Sequence, residues 1–225
     1  MGHLNSNGSS AKRNGTKTGG PMFPQWALDM IRPVVGGMSR VFWKIEFRGV
    51  ENIPPHGGVI IAANHQTYFD PFWLSLKVKR PMRYLAWSAA FNWPVVGPCL
   101  TWFGAWPLAL EGSDPAPIRR SLQWLRGGGA VVIFPEGGRS TSSGELERFK
   151  AGAVRLALEA NVPILPVTIK GGNRIWPRGW RFPRTGKVVI TYHPLYHAEQ
   201  SPTEETRAAA KRESERLARV IASAL

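Results

Sequence analysis

The chain holds a single cysteine, Cys99, in 225 residues, so no internal disulfide can form and nothing asks for an oxidising compartment. Acidic residues are scarce: 15 Asp and Glu stand against 29 Lys and Arg, a formal net charge of +14. Such an excess suits a polyanion, whether nucleic acid, an anionic membrane surface or a phosphorylated substrate. Uninterrupted apolar runs are missing too. The uncharged stretch from Tyr84 to Leu110 is broken by Asn92, Pro94, Pro98 and Pro107, where a lipid-exposed helix could not satisfy its backbone. It reads as strand, helix and strand buried within the fold. There is no Gly-x-Ser-x-Gly elbow, no Walker phosphate loop and no Gly-x-Gly-x-x-Gly turn between strand and helix. His56, His193 and His197 lack the His or Cys partners of a zinc cluster, and Cys99 reads as buried rather than nucleophilic.

What is present is aromatic and basic. Ten tryptophans beside the 29 cations favour a membrane surface, because indole rings prefer the lipid–water interface; RNA binding by stacking is the competing reading. Residues 1–21 have too few apolar side chains to offset ordering entropy and read as a disordered tail without a signal-peptide core. Met1–Ser6 formally matches a myristoylation signal, a short pattern frequent by chance. Residues 22–44 place Phe23, Trp26, Met30, Ile31, Val34, Met38, Val41 and Phe42 at helical spacing, with Pro33 and Gly36–Gly37 expected to kink or divide the helix. The period leaves two readings open: a helix packed on the core, or an amphipathic anchor lying in the lipid surface.

From residue 45 to 225 the pattern reads as one domain. Apolar runs at 45–50, 58–63, 82–87, 104–110, 129–134, 163–169 and 187–192 read as strands, with helices at 70–79, 88–101, 115–126 and 149–160 between several of them. This alternation predicts an α/β domain with a central mixed, largely parallel sheet flanked by helices. Ser201, Pro202 and Glu204 read as a capping box opening the C-terminal helix.

Two strand ends carry the candidate chemistry. The first is "NHQTYFDP" at 64–71. Asp70 before Pro71 is a good helix N-cap, which would explain the aspartate without catalysis. Equally, a histidine at a strand's C-terminal edge lies where open α/β sheets bind ligands, and a carboxylate that turns back onto it would make His65 a base. The second is "FPEGGRS" at 134–140, whose glycines and Arg139 suit an anion, with Glu136 orienting Arg139 or backbone donors. A third stretch, "NRIWPRGWRFPRTGK", interleaves Arg174, Arg178, Arg181 and Arg184 with Trp176, Trp180 and Phe182. It reads as a solvated loop or as a lipid-headgroup contact.

Together these blocks resemble the glycerolipid acyltransferases of the lysophosphatidic acid acyltransferase type. "NHQTYFDP" is similar to that family's Asn-His-x4-Asp motif, and "FPEGGRS" to its Phe-Pro-Glu-Gly-x-Arg-Ser motif some 70 residues later. "FKAG" at 149–152 and "VPILPVTIKG" at 162–171, around Pro166, resemble two further blocks. The resemblance implies His65 as general base, Asp70 as its partner, and Asn64, Glu136, Gly137, Arg139, Ser140 and Lys150 as substrate-binding residues. It implies acyl transfer from acyl-CoA or acyl carrier protein to a lysophospholipid, by default 1-acyl-sn-glycerol-3-phosphate, with no cofactor or metal. Such an enzyme is expected on the cytoplasmic face of a membrane, peripheral or monotopic, contacting anionic lipid and no nucleic acid. One departure stands out: "GAWPLAL" at 104–110 puts Leu110 where the family's phosphate-binding arginine is expected. That leaves another lysolipid, or a hydroxyl-bearing lipid, as an alternative acceptor. A basic module that binds lipid or RNA without turnover is the alternative of a different class.

Overall fold

The computed structural model describes residues 24–94, 96–109, 115–141, 143–177 and 179–225. The expected tail at 1–21, Phe23, Leu110 and Arg178 lie outside them.

Seven strands form one sheet: β1 (Glu46–Arg48), β2 (Val59–Ala63), β3 (Met82–Trp87), β4 (Ala105–Leu108), β5 (Ala130–Ile133), β6 (Ile164–Lys170) and β7 (Val189–Tyr192). Their order is β1-β7-β6-β2-β5-β3-β4, and every pairing is parallel except β6 with β7. The mixed, largely parallel sheet expected from the alternation is the one observed. β2 is its centre, and the reason is compositional: Val-Ile-Ile-Ala-Ala is apolar at every position and fully buried on both faces. Alternate residues serve different cores. Val59, Ile61 and Ala63 pack with Trp73 and Leu74 of α2 (Asp70–Ser75) on one face. Ile60 and Ala62 face the other, with Leu122 and Leu125 of α4 (Ala116–Arg126), Val154 and Ala157 of α5 (Gly152–Ala160), and Leu217 and Ile221 of α7 (Thr206–Ala222).

This division positions the site. The chain leaves β2 towards α2 on one face and leaves β5 towards α5 on the other. Adjacent parallel strands whose connections part in this way open a crevice at their carboxyl ends. The register pairs Ala62 with Ile133, so Asn64–His65 and Phe134–Ser140 leave the sheet side by side.

Three expectations change. Helix α1 (Gln25–Trp43) runs through Pro33 and both glycines undivided. Its turn at Pro33 is held to the body by Arg32, whose Nε and Nη2 donate to the Ser75 and Val78 carbonyls at 3.0 Å each. The C-terminal helix starts at Thr206, not after Ser201. Ser201–Glu204 closes a turn, the Gln200 amide donates to Glu204 O and Thr206 Oγ1, and Arg212 reaches back to Glu204. The uncharged stretch is β3 from Tyr84, a 3-10 turn at Ser88–Asn92, α3 (Val96–Trp102) and β4, and it is buried only in part: Tyr84, Ala105 and Trp106 are covered, while Trp87, Trp93 and Trp102 are exposed. Cys99 in α3 is half-buried, and burial pushes its thiol pKa up, which keeps it in the unreactive neutral form.

Candidate active site

His65 follows β2 by two residues. Its Nδ1 lies 2.8 Å from Asp70 Oδ2, and its ring stacks on Phe134 with centroids 4.2 Å apart. The same Asp70 oxygen accepts from the backbone N–H groups of Gln66 (2.6 Å) and Thr67 (2.8 Å). The carboxylate is wholly buried, and the N-cap position of α2 belongs to Phe69. The helix-cap reading of Asp70 therefore fails in its details: Asp70 is the first residue of the helix, and its side chain turns back to close the 65–70 loop. With Nδ1–H directed at Asp70, Nε2 is the nitrogen left to act as a base.

The loop after β5 supports that histidine from behind. Glu136 is buried; its Oε1 accepts from His65 N at 2.7 Å, and its Oε2 accepts from Ser140 Oγ (2.9 Å) and Glu147 N (3.0 Å). Ser140 N donates to His65 O at 2.6 Å, so the backbone of His65 is gripped at both its N–H and its carbonyl. Burial raises the Glu136 pKa, and the three donors from His65, Glu147 and Ser140 pull it down by less. Glu136 and Ser140 are thus both buried and bonded to the His65 loop and Glu147 rather than to Arg139. Asn64 is likewise fully buried, its amide exchanging bonds with the Ile169 main chain (Nδ2 to O at 2.9 Å, Ile169 N to Oδ1 at 2.7 Å). That clasp ties β2 to β6 just before the histidine. All three, expected as substrate contacts, are buried and spend their polar side-chain atoms on bonds within the protein.

Gly137, Arg139 and Lys150 are more open. Gly137 has φ +75°, and a Cβ there would stand 2.6 Å from Lys150 Nζ, so glycine lets the lysine chain cross directly over the turn. Lys150 N donates to Pro135 O at 2.8 Å, fixing the start of that crossing. Arg139 lies over the ring of Tyr68, 3.7 Å from its centroid, with Nη2 2.9 Å from the Tyr68 hydroxyl. Among the described residues no carboxylate pairs with Arg139 or Lys150. Tyr68 itself meets Trp176 edge-on at 5.2 Å, and Trp176 also packs on Phe69. Reading the sequence overlooked Tyr68 and Phe134; an aromatic amid the polar loop residues 64–67 was the available signal for Tyr68.

The sequence and the fold that carry these residues match known proteins. The Acyltransferase family model covers residues 44–170. The chain belongs to this family. It is 32% identical over 162 residues to the chloroplastic 1-acyl-sn-glycerol-3-phosphate acyltransferase of Brassica napus, covering 69% of this chain and 46% of that protein. It is 33% identical over 171 residues to the enzyme of that name from Pseudomonas aeruginosa, covering 69% and 60%. The chain thus spans about half the length of several curated relatives it matches. The crystal structure of the 1-acyl-sn-glycerophosphate acyltransferase of Thermotoga maritima superposes with a TM-score of 0.69 over 88% of this chain and 80% of that one, at 24% identity. At that identity the likeness speaks for the fold.

Proposed function

We propose that the protein transfers a fatty acyl group from a thioester, on coenzyme A or acyl carrier protein, to the free hydroxyl of lysophosphatidic acid, giving phosphatidic acid. The supporting observation is the His65–Asp70 pair, 2.8 Å apart, beside an arginine and a lysine with no carboxylate partner among the described residues. His65 Nε2 takes the proton of the acceptor hydroxyl while its oxygen attacks the thioester carbonyl. The C–O bond forms, the C–S bond breaks, and the leaving thiolate recovers the proton from the imidazolium. Asp70 holds the ring and stabilises its positive charge during that exchange. Arg139 and Lys150 take the acceptor's phosphate.

The test is acyl-CoA offered with a panel of lysolipids, with the product identified by mass spectrometry. Ester formed on lysophosphatidic acid is the expected result. No ester on any acceptor would leave the basic, non-enzymatic lipid- or RNA-binding module standing. Preference for a different lysolipid is the outcome that Leu110, in place of an expected arginine, motivates.

The reading includes a place of work. Among the described residues no helix is long and apolar enough to cross a membrane. Yet α1 leaves Trp26 (66% exposed), Met30 (70%), Val34 and Val41 (75%) on one open face. Its far end is joined to the site: Trp43 packs on Phe69 and Trp73, and its indole donates to Arg184 O. An apolar helix face of this kind suits the surface of an anionic, cytoplasm-facing leaflet, to which the exposed Trp180 and Phe182 and the segment of Arg184, bonded to Trp43, would add. The combined Trp26→Ser, Met30→Ser and Val34→Ser change is expected to lower binding to phosphatidylglycerol vesicles by about tenfold or more in a sedimentation assay. The thermal midpoint should hold, because these side chains are already exposed. Vesicle binding equal to wild type would remove α1 from the interface.

A further inference from the structure

Within the acyl-transfer reading, we propose that Tyr68 is a specificity-determining residue: with Arg139 it forms a two-residue clamp for a phosphomonoester headgroup. The argument begins with what Arg139 is doing. An arginine in a site loop usually finds a carboxylate, and Glu136 lies only three residues away. Glu136, however, is committed to His65 N, Ser140 Oγ and Glu147 N. Arg139 instead rests on an aromatic face and donates through Nη2 to the phenol oxygen above it. Stacking and one hydrogen bond fix the plane of the guanidinium while leaving its charge uncompensated and most of its N–H donors unspent.

The hydroxyl completes the device. Because Tyr68 Oη accepts from Arg139, its own O–H is left to donate to a ligand beside the guanidinium. Two donors of different kinds then converge on one anion, and the phenol oxygen is held there by its bond to the arginine. Tyr68 is 41% exposed, so the clamp is open to a lipid headgroup. It is also rigidly related to the base. Tyr68 follows Thr67, whose N–H is bonded to Asp70, and precedes Phe69, whose N–H lies 3.2 Å from Thr67 Oγ1. The short loop that sets the His65 imidazole therefore sets the clamp as well. A three-carbon glycerol backbone, with hydroxyl and phosphate at neighbouring carbons, requires that closeness. The clamp also answers the sequence departure at Leu110: the missing second charge partner is replaced by a hydroxyl and a pre-set arginine.

Tyr68→Phe removes the hydroxyl and keeps the stacking ring; Tyr68→Ala removes both. Two measurements on the full chain separate the possibilities. The first is binding of lysophosphatidic acid in neutral detergent micelles, with monoacylglycerol as the uncharged control. The second is steady-state acyl transfer. Tyr68→Phe is expected to weaken lysophosphatidic acid binding and raise its KM by about tenfold, the scale of one hydrogen bond to a charged group, with kcat and the acyl-donor KM unchanged. Tyr68→Ala is expected to lose more, and to lose almost nothing further when Arg139→Ala is added, because the two act as one unit. Monoacylglycerol binding should not respond to any of them. Binding of lysophosphatidic acid by Tyr68→Phe within twofold of wild type, or an equal loss for both lipids, overturns the clamp. Transfer activity with no dependence on Tyr68 would discard the clamp and leave the acyltransferase reading intact; Tyr68-dependent binding without transfer would do the reverse.

Discussion

His65→Ala is expected to reduce kcat for acyl transfer by about 10³–10⁴-fold, with KM for both substrates little changed. In the proposed mechanism the imidazole takes the acceptor's proton, and its truncation leaves the loop's backbone bonds to Glu136 and Ser140 in place. Asp70→Asn makes the finer test. Asp70 Oδ1 is buried with no partner among the described residues, while Oδ2 takes all three donors. An asparagine can therefore turn its oxygen to the donors and put its nitrogen where the idle oxygen stood. The ring keeps its tautomer and its place; only the negative charge is lost. The expected fall in kcat is about 10–10²-fold, the scale of a charge-assisted bond set against a neutral one. A normal rate in Asp70→Asn would mean the carboxylate serves the loop alone. An undiminished rate in His65→Ala would end the general-base mechanism.

Glu136→Gln is expected to have the second large effect, and it acts without touching substrate. The two carboxylate oxygens accept from three donors divided between them, so an amide nitrogen on either side faces at least one N–H or O–H. Facing donors at a buried position cost on the order of 1–3 kcal/mol and should release the His65 backbone. Activity is expected to fall about 10²-fold, mostly in kcat, since the base is misplaced rather than removed. The pH dependence has a definite sign. Burial raises the Glu136 pKa above the ordinary glutamate value, so the folded protein binds this proton more tightly than the unfolded chain. The residue's contribution to stability is then largest below about pH 4.5 and declines as pH rises through the raised, folded-state value. Glutamine does not titrate, so the stability deficit of Glu136→Gln should shrink over that range. Chemical denaturation of both proteins from pH 4 upwards measures it; a deficit that grows with pH would show the donors outweighing burial.

Much of the fold was legible because it rests on local composition. A run such as Val59–Ala63, apolar at every position and ended by polar residues, has no stable place except the middle of a sheet covered on both faces. Its alternation with helical segments then restricts the topology to a mostly parallel sheet. The His65–Asp70 pair was legible for the same reason: five residues at a strand end can bring one side chain back onto another without help from the rest of the chain.

The remainder depended on partners far away in sequence. Nothing near Glu136 announces that its oxygens belong to His65, 71 positions earlier, or near Asn64 that its amide belongs to Ile169. The family resemblance implied substrate contacts for them; burial and long-range hydrogen bonding commit their polar atoms to the protein's own backbone. The start of α7 moved for a similar reason. Ser201, Pro202 and Glu204 have the chemistry of a capping box, but Gln200 and Arg212 close that segment as a turn. Helical period in α1 was compatible with both a buried and an open face. Only packing decided that its Trp43 end and Arg32 are held while Trp26, Met30 and Val34 are left uncovered. Sequence by itself determined the sheet and brought His65 and Asp70 together. Tertiary structure decided which polar groups are consumed in holding that pair, and so which, Arg139 with Tyr68 among them, are left without a carboxylate partner among the described residues.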